Sequence, residues 1–269
     1  MRAAQLRWVA LTVLLTVTPL SSQTSRSETA EWVARQIDER DTGRDSRLEM
    51  TMRLFDRQQR VRERALVVLG LRATATRGDR VLVRFQSPND IKGTALLVWD
   101  HPSADDERFL YLPALGRVRR IAGSEKQESF VGSDLSYEDI GGRELEDYSY
   151  RFVDPESSWI DADGQQHRVW RLESRAVDKQ SAYPRTESVV RKDNFVVVAA
   201  TVFNRRDKPE KAYEVRRLEQ IGGIWTATDV VMRNELQKTR TELTVTTARY
   251  NIGLTEAAFT RRVLEQGEP

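Results

Sequence analysis

From residue 48 onward, apolar and polar positions alternate with a period of two over stretch after stretch, the pattern of strands that bury one face. Leu48, Met50, Met52 and Leu54 alternate with Glu49, Thr51 and Arg53. Asp56-Arg57-Gln58-Gln59 turns the chain, and residues 61–71 return. Gly78-Asp79 opens a strand with Val81, Val83 and Phe85 on one face and Arg80, Leu82 and Arg84 on the other. The same reading predicts strands over 94–99, 108–112, 117–121, 148–153, 168–175, 188–191, 196–203, 212–219, 225–232 and 239–250. Turn residues stand between several of them, at Asp161-Ala162-Asp163-Gly164, Asp207-Lys208-Pro209 and Gly222-Gly223.

A helical period is strong only near the start, over 29–40, where Trp32, Val33 and Ile37 form a stripe, Ser27 offers a cap, and Glu28 and Glu31 suit the N-terminal end of the dipole. Parts of 132–145 and the short 255–263 are the other helical candidates. About a dozen strands after one helix predict a mainly β protein with a few helices (α+β), its curved antiparallel sheet forming an incomplete, half-closed barrel. So long a sheet must cover its apolar face. With so little helix, either the barrel packs on its own side chains or an apolar cavity remains, and alternation alone does not separate the two.

The first 22 residues read differently. Arg2 and Arg7 precede the apolar run Trp8 to Thr18, which Pro19 breaks before Ser21 and Ser22. At about 1.5 Å per residue the run covers roughly half of a ~30 Å hydrocarbon core, which fits the apolar region of a cleaved signal peptide. An uncleaved anchor is the alternative. We therefore divide the chain into a signal peptide, 1–22, and a single exported domain, 23–269, with no repeat and no low-complexity linker inside it.

Composition narrows the chemistry. The 269 residues hold no cysteine and only two histidines, His101 and His167, which excludes disulfides, thiolate metal sites and a three-histidine site. Basic residues outnumber acidic ones 43 to 41 over the whole chain, and the excess lies in 1–22, so nothing points to nucleic acid. Gly132-Ser133-Asp134 lacks the second glycine of a nucleophile turn and has no histidine attached by any motif. Asp161 to Gly164 resembles a fragment of a calcium loop, but the twelfth position is Leu172, and a hairpin turn explains it better. The acids Asp134, Glu138, Asp139, Glu144, Glu146 and Asp147 read as a solvated face. No catalytic role, cofactor or metal is expected.

A family pattern runs through the chain in order. It comprises Phe85-Gln86-Ser87-Pro88-Asn89-Asp90-Ile91-Lys92-Gly93-Thr94, then Leu110-Tyr111-Leu112-Pro113-Ala114-Leu115 and Val118-Arg119-Arg120-Ile121. Phe130-Val131-Gly132-Ser133-Asp134-Leu135-Ser136-Tyr137-Glu138-Asp139 follows, and the pattern ends on Asn251 and Phe259-Thr260-Arg261-Arg262-Val263-Leu264. In these segments the sequence resembles the outer-membrane lipoprotein-sorting protein family of the LolA-like superfamily. The resemblance implies a LolA/LppX-like half-barrel with a helical lid over an apolar cavity, working in the periplasm as a carrier of lipid or lipoprotein acyl chains. It also implies an inner-membrane partner, either a transporter of the resistance-nodulation-division type or a lipoprotein exporter. A sensing module that binds the same cargo and regulates a membrane partner is the alternative.

On this reading Leu48, Met50, Met52, Leu54, Val81, Val83, Phe85, Leu96, Val98, Leu110 and Leu112 line the cavity, and Trp32, Val33 and Ile37 belong to the lid. The motif loops supply Ser87, Pro88, Asp90, Lys92, Gly93, Tyr111, Pro113, Arg119, Arg120, Gly132, Ser133, Asp134 and Tyr137, as contacts or as shaped turns.

Overall fold

The alternating segments become thirteen antiparallel strands of one sheet, preceded by one helix and followed by another. A computed structural model describes residues 28–74, 77–101, 105–141, 145–177, 181 and 183–267. The proposed signal peptide lies outside these. Helix α1 spans Ala30–Glu39. The strands are β1 Asp45–Phe55, β2 Val61–Leu71, β3 Arg80–Ser87, β4 Ala95–Trp99, β5 Glu107–Leu112 and β6 Arg117–Ile121, then β7 Tyr148–Ile160, β8 Gln166–Ala176, β9 Arg185–Arg191, β10 Val197–Phe203, β11 Pro209–Ile221, β12 Ile224–Asn234 and β13 Thr239–Tyr250. The short helices α2, Tyr137–Gly141, and α3, Arg261–Gln266, complete the chain.

The strand order is β6-β5-β4-β3-β2-β1-β13-β12-β11-β10-β9-β8-β7. Every neighbour pair is a sequential hairpin except the central seam, where β1 pairs with β13 from Ser46↔Tyr250 to Phe55↔Arg240. The two edges, β6 and β7, are consecutive in the chain, so closure would require them to pair, and they do not. The sheet is an open half-barrel, as expected. The 26 residues 122–147 that join its edges must travel from one side of the sheet to the other.

Strands β2 to β5 are apolar on both faces because both are covered. Val67, Leu69, Leu82, Ala95, Leu97 and Phe109 pack under Phe259, Val263 and Leu264 of the C-terminal segment. Arg84 fixes that segment by donating to the Val263 carbonyl at 2.5 Å and the Leu264 carbonyl at 3.3 Å, and the Trp99 indole donates to the Phe259 carbonyl at 2.7 Å. The opposite face carries the larger core and the candidate site.

Candidate functional site

Residues paired directly across an antiparallel ladder share a face. The register runs from Leu54 through Thr241, Met232, Tyr213, Ala200 and Ser188 to Leu172, so these seven belong to one face of the sheet. Two covers lie on it, one at each end.

The cover over β1 to β6 is the edge-joining segment, in particular 129–139. Phe130, with no exposed surface, stacks on Phe85 at 5.6 Å between ring centres and meets Tyr137 edge-on at 5.8 Å. Leu135 and Tyr137 bury beside it against Met52, Leu54, Val83, Leu96, Val98 and Leu110. Short one-turn helices and a left-handed Val131–Gly132 pair (φ 50° and 75°) bend the chain over these residues. A β-branched residue rarely adopts that conformation. Here the Val131 carbonyl accepts from Arg64 at 2.7 Å.

Polar anchors hold this strap to distant strands. The Asp134 carboxylate accepts from the hydroxyls of Thr239 and Thr241 on β13. Ser136 and Tyr183 both donate to the Asp139 carboxylate, at 2.9 and 2.8 Å. Lys211 of β11 donates to the Tyr183 hydroxyl at 3.1 Å. Asp134 and Asp139, from the cluster read as a solvated acidic face, are thus structural acceptors.

Helix α1 covers the other end. The cap comes from Thr29, whose hydroxyl accepts from the Trp32 amide at 3.1 Å, while Ser27 lies outside the described residues. Ala30, Val33 and Ala34 pack on Trp170, Leu172 and Val190, with Trp32 and Ile37 beside them. Trp32 stands edge-on to Trp170 and Phe195, at 6.3 and 5.7 Å. The expected lid residues therefore pack over β8 and β9 rather than over the strands of Met52 and Phe85, which the strap covers. Arg72, at the end of β2, closes the C-terminal turn of α1 through the carbonyls of Asp38 and Arg40 and the Thr42 hydroxyl, at 2.5, 3.2 and 2.8 Å.

Between the covers the face stays apolar and only half-buried at Leu48, Met50, Val68, Val230, Leu243 and Val245. The register places Leu48 opposite Val68, Met50 opposite Val245 and Val230 opposite Leu243, so they form a continuous strip across the central strands. Among the expected cavity residues, Leu48 and Met50 belong to this trough. Met52, Leu54, Val83, Phe85, Leu96, Val98 and Leu110 form the packed core under the strap, with Val81 and Leu112 at its margin.

The first motif loop, between β3 and β4, is a turn anchored by Ile91, 7 % exposed in the strap-covered core. Ser87, Pro88, Asp90 and Lys92 face solvent. Gly93 has φ +82° and a Cβ there would lie 3.2 Å from Pro113, which accounts for the glycine. Tyr111 packs at the edge of the C-terminal core, Arg119 pairs with Glu125 at 2.9 Å, and Arg120 reaches Glu107 at 3.4 Å. The Ser133 hydroxyl donates to the Phe130 carbonyl at 2.8 Å inside its own turn. His101 pairs with Glu107 and His167 with Asp161. The amides of Asp163 and Gln165 donate to Asp161, so 161–164 is the hairpin turn the sequence predicts. No group of three acidic or histidine side chains able to hold a metal occurs among the described residues.

Two hollows complete the geometry. One of about 350 Å³ lies where the strap meets the ends of β11 to β13 and is lined by Gly132, Ser133, Asp134, Lys211 and Thr239 among others. A larger one, about 580 Å³, lies beside the C-terminal helix, with Arg47, Glu49, Thr51, Arg84 and Gln86 on its walls. Sequence reading missed the strap as the main cover, and Val68, Val230, Leu243 and Val245 as trough residues. The alternation in 239–250 was the available signal for Val245, but its facing depends on a bulge between Glu49 and Met50.

A family described as uncharacterised-protein-like matches residues 77–266. No curated protein matches the chain. Among solved structures, a domain from Vibrio parahaemolyticus described as an outer-membrane lipoprotein-sorting protein domain is 30 % identical over 88 % of this chain and 98 % of its own, with a TM-score of 0.80. A protein of the DUF1329 family from Desulfovibrio piger is 31 % identical over 87 % of this chain and 97 % of its own, with a TM-score of 0.79. A LolA superfamily protein from Nitrosomonas europaea shares the fold at 16 % identity, covering 88 % of this chain and 99 % of its own, with a TM-score of 0.67.

Proposed function

The chain belongs to the outer-membrane lipoprotein-sorting family of the LolA-like superfamily, and from that premise we propose that it carries acyl chains of a lipid or lipoprotein through the periplasm. The observation that carries this reading is the half-buried apolar trough between two separate covers. A strip of six half-exposed apolar residues is costly to leave in water, and an acyl chain lying in it gains about 0.8 kcal/mol per methylene removed from water. Lifting the strap, which holds there through Phe130, Leu135, Tyr137 and a few polar anchors, would open deeper seats over Phe85, Leu96 and Leu110. Met50, at the junction of trough and core, suits a variable guest because its thioether is flexible.

In this proposal residues 1–22 direct export and are removed. The domain then collects cargo from an inner-membrane transporter of the resistance-nodulation-division type or a lipoprotein exporter and delivers it towards the outer membrane. Native mass spectrometry and lipid extraction of protein purified from periplasm test it. Co-purifying acyl species at near-stoichiometric amounts are expected. Protein that arrives empty, and binds no offered acyl chain, would sink the reading.

A further inference from the structure

The strand order sets five turns side by side on one rim of the half-barrel. The ladder pairs Leu112↔Arg117, Arg84↔Ala95, Phe55↔Val61, Asn234↔Thr239 and Phe203↔Pro209 stand at the feet of the β5–β6, β3–β4, β1–β2, β12–β13 and β10–β11 connections. The pair Phe55↔Arg240 continues the same rim across the central seam. Strands lie about 4.8 Å apart, so these turns follow one another at roughly 10 Å intervals.

Two properties coincide on this rim. Its turns raise large apolar side chains into water: Leu115 is 57 % exposed and Leu236 is 58 % exposed, and Val61 is exposed at the start of β2. Single exposed apolar residues are ordinary on a protein surface. Here, however, they stand among positive charges that nothing neutralises. Arg57, Arg62, Lys92, Arg117, Arg206 and Lys208 are exposed and make no ion pair among the described residues. The carboxylates of the same turns are mostly taken: Asp56, Asp207 and Glu235 pair with Arg60, Arg185 and Lys238 at 2.7, 2.6 and 3.6 Å, which leaves Asp90.

The opposite rim has the reverse balance. Arg72 donates to carbonyls of α1, Arg77 pairs with Glu256 at 3.1 Å, and Lys192 pairs with Glu156 at 2.7 Å. Asp105 and Asp163 are exposed there and have no ion pair among the described residues. An apolar residue, Ile160, is exposed on that rim too, but it directly precedes Asp161 and Asp163, which an anionic surface would repel.

Apolar tips set in uncompensated positive charge suit the interface of an anionic bilayer, where cations meet lipid phosphates and apolar side chains reach below them. We propose that the protein docks on anionic membranes by this rim, with Leu115 and Leu236 entering the headgroup layer roughly 30 Å apart along the arc. The strap is tied down at the same rim. Asp134 accepts from Thr239, the first residue of β13, and the hollow of about 350 Å³ between the strap and the strand ends has Arg62 and Gln237 in its wall. Docking brings these anchors to the bilayer, so the inference rests on the carrier reading and adds the orientation in which cargo is exchanged.

Flotation of protein purified from periplasm tests this, using vesicles of phosphatidylcholine alone or with about one-third phosphatidylglycerol. Attachment to the anionic vesicles is expected to exceed attachment to the neutral ones at least about tenfold and to weaken as salt rises. Lys92→Glu combined with Arg117→Glu should reduce it at least about tenfold, and Leu115→Ser combined with Leu236→Ser about fivefold. Asp105→Asn, on the opposite rim, should change it by less than about twofold. All five positions are exposed, so circular dichroism should be unaltered. The chain has no cysteine, so Leu115→Cys and Ile160→Cys each take a single polarity-sensitive dye. The dye at Leu115→Cys should shift to the blue on anionic vesicles and the dye at Ile160→Cys should not.

Equal attachment to both lipid compositions, attachment insensitive to the charge reversals, or a shift at Ile160→Cys alone overturns the docking rim. Attachment to native membranes but not to lipid vesicles assigns the rim to a membrane protein and overturns it as well. Protein that co-purifies with acyl chains but floats with no vesicle loses this inference and keeps the carrier reading. Protein that docks as expected but carries no acyl chain keeps the rim and loses the carrier reading.

Discussion

Asp134 and Thr241, 107 residues apart, are bonded in both directions: the Asp134 amide donates to the Thr241 hydroxyl at 2.9 Å, and that hydroxyl donates to the Asp134 carboxylate at 2.7 Å. Thr241 is 1 % exposed and stands on the same face as Leu54 and Met232. One side chain thus ties the strap to the centre of the sheet twice over, beside the bonds from Thr239 and Tyr183.

Thr241→Val removes both bonds while keeping the shape. It leaves the half-buried Asp134 carboxylate with the Thr239 hydroxyl alone and the Asp134 amide short of a partner, so a loss of about 1–2 kcal/mol in urea unfolding is expected. Thr241→Ser should recover most of it. If the strap is the moving cover, Thr241→Val should also raise the uptake of an environment-sensitive apolar dye at urea concentrations well below unfolding.

Phe130→Ala empties the position that plugs the core against Phe85 and Tyr137. A buried phenylalanine truncated to alanine costs about 3–5 kcal/mol. The melting temperature should fall accordingly, whereas Leu115→Ala, at an exposed position beyond β5, should leave it within about half a kcal/mol of wild type.

Val245→Glu addresses the trough. Val245 is half-buried, so the carboxylate can reach water and the fold should lose less than about 1.5 kcal/mol. Acyl binding should weaken at least about tenfold, because the chain would have to desolvate a charge. Unchanged binding measured by dye displacement would remove this strip from the site.

Glu173 governs part of the acid response. It is 1 % exposed and accepts from Arg151 at 2.6 and 2.7 Å and from Arg175 at 2.6 Å. Burial pushes its carboxyl up, but the hydrogen bonds from Arg151 and Arg175 outweigh it and hold the group below its ordinary value. A depressed value means stability that is present above the ordinary glutamate range and lost as pH falls through the lowered one. Both arginines are more than half exposed and contribute modestly, while the buried Arg185 lies 3.5 Å from the same carboxylate. Glu173→Gln should cost about 2 kcal/mol at neutral pH and flatten the decline of stability in acid.

What was legible in the sequence was whatever repeats locally. Leu48 to Leu54 announced a strand because its ladder partners leave one face to be covered, and α1 announced itself through Val33 and Ile37. What those elements meet was not legible. The stripe of α1 fits any apolar face, and only the fold assigns it to Trp170 and Val190. The strap drew notice as a motif, yet it has no period: it bends through one-turn helices and the left-handed Val131, and its anchors lie on Thr239, Thr241, Tyr183 and Lys211. Leu82 and Leu97 gave a hint of a second covered face, but a six-residue helix at 261–266 was too short to be recognised as its cover.

The connection between β6 and β7 gives the molecule the mechanics of a strung bow. Thirteen strands at about 4.8 Å make an arc of roughly 58 Å, and its two tips are tied by the 26-residue connection 122–147, within which Phe130, Leu135 and Tyr137 press on the belly of the bow. Lifting the string from its rests at Thr241 and Tyr183 frees slack without cutting the tie, while the covalent length still limits how far the tips can part. On the proposed carrier reading, string length then sets the girth of a guest. Lengthening or shortening that one connection would tune the aperture without touching a single strand.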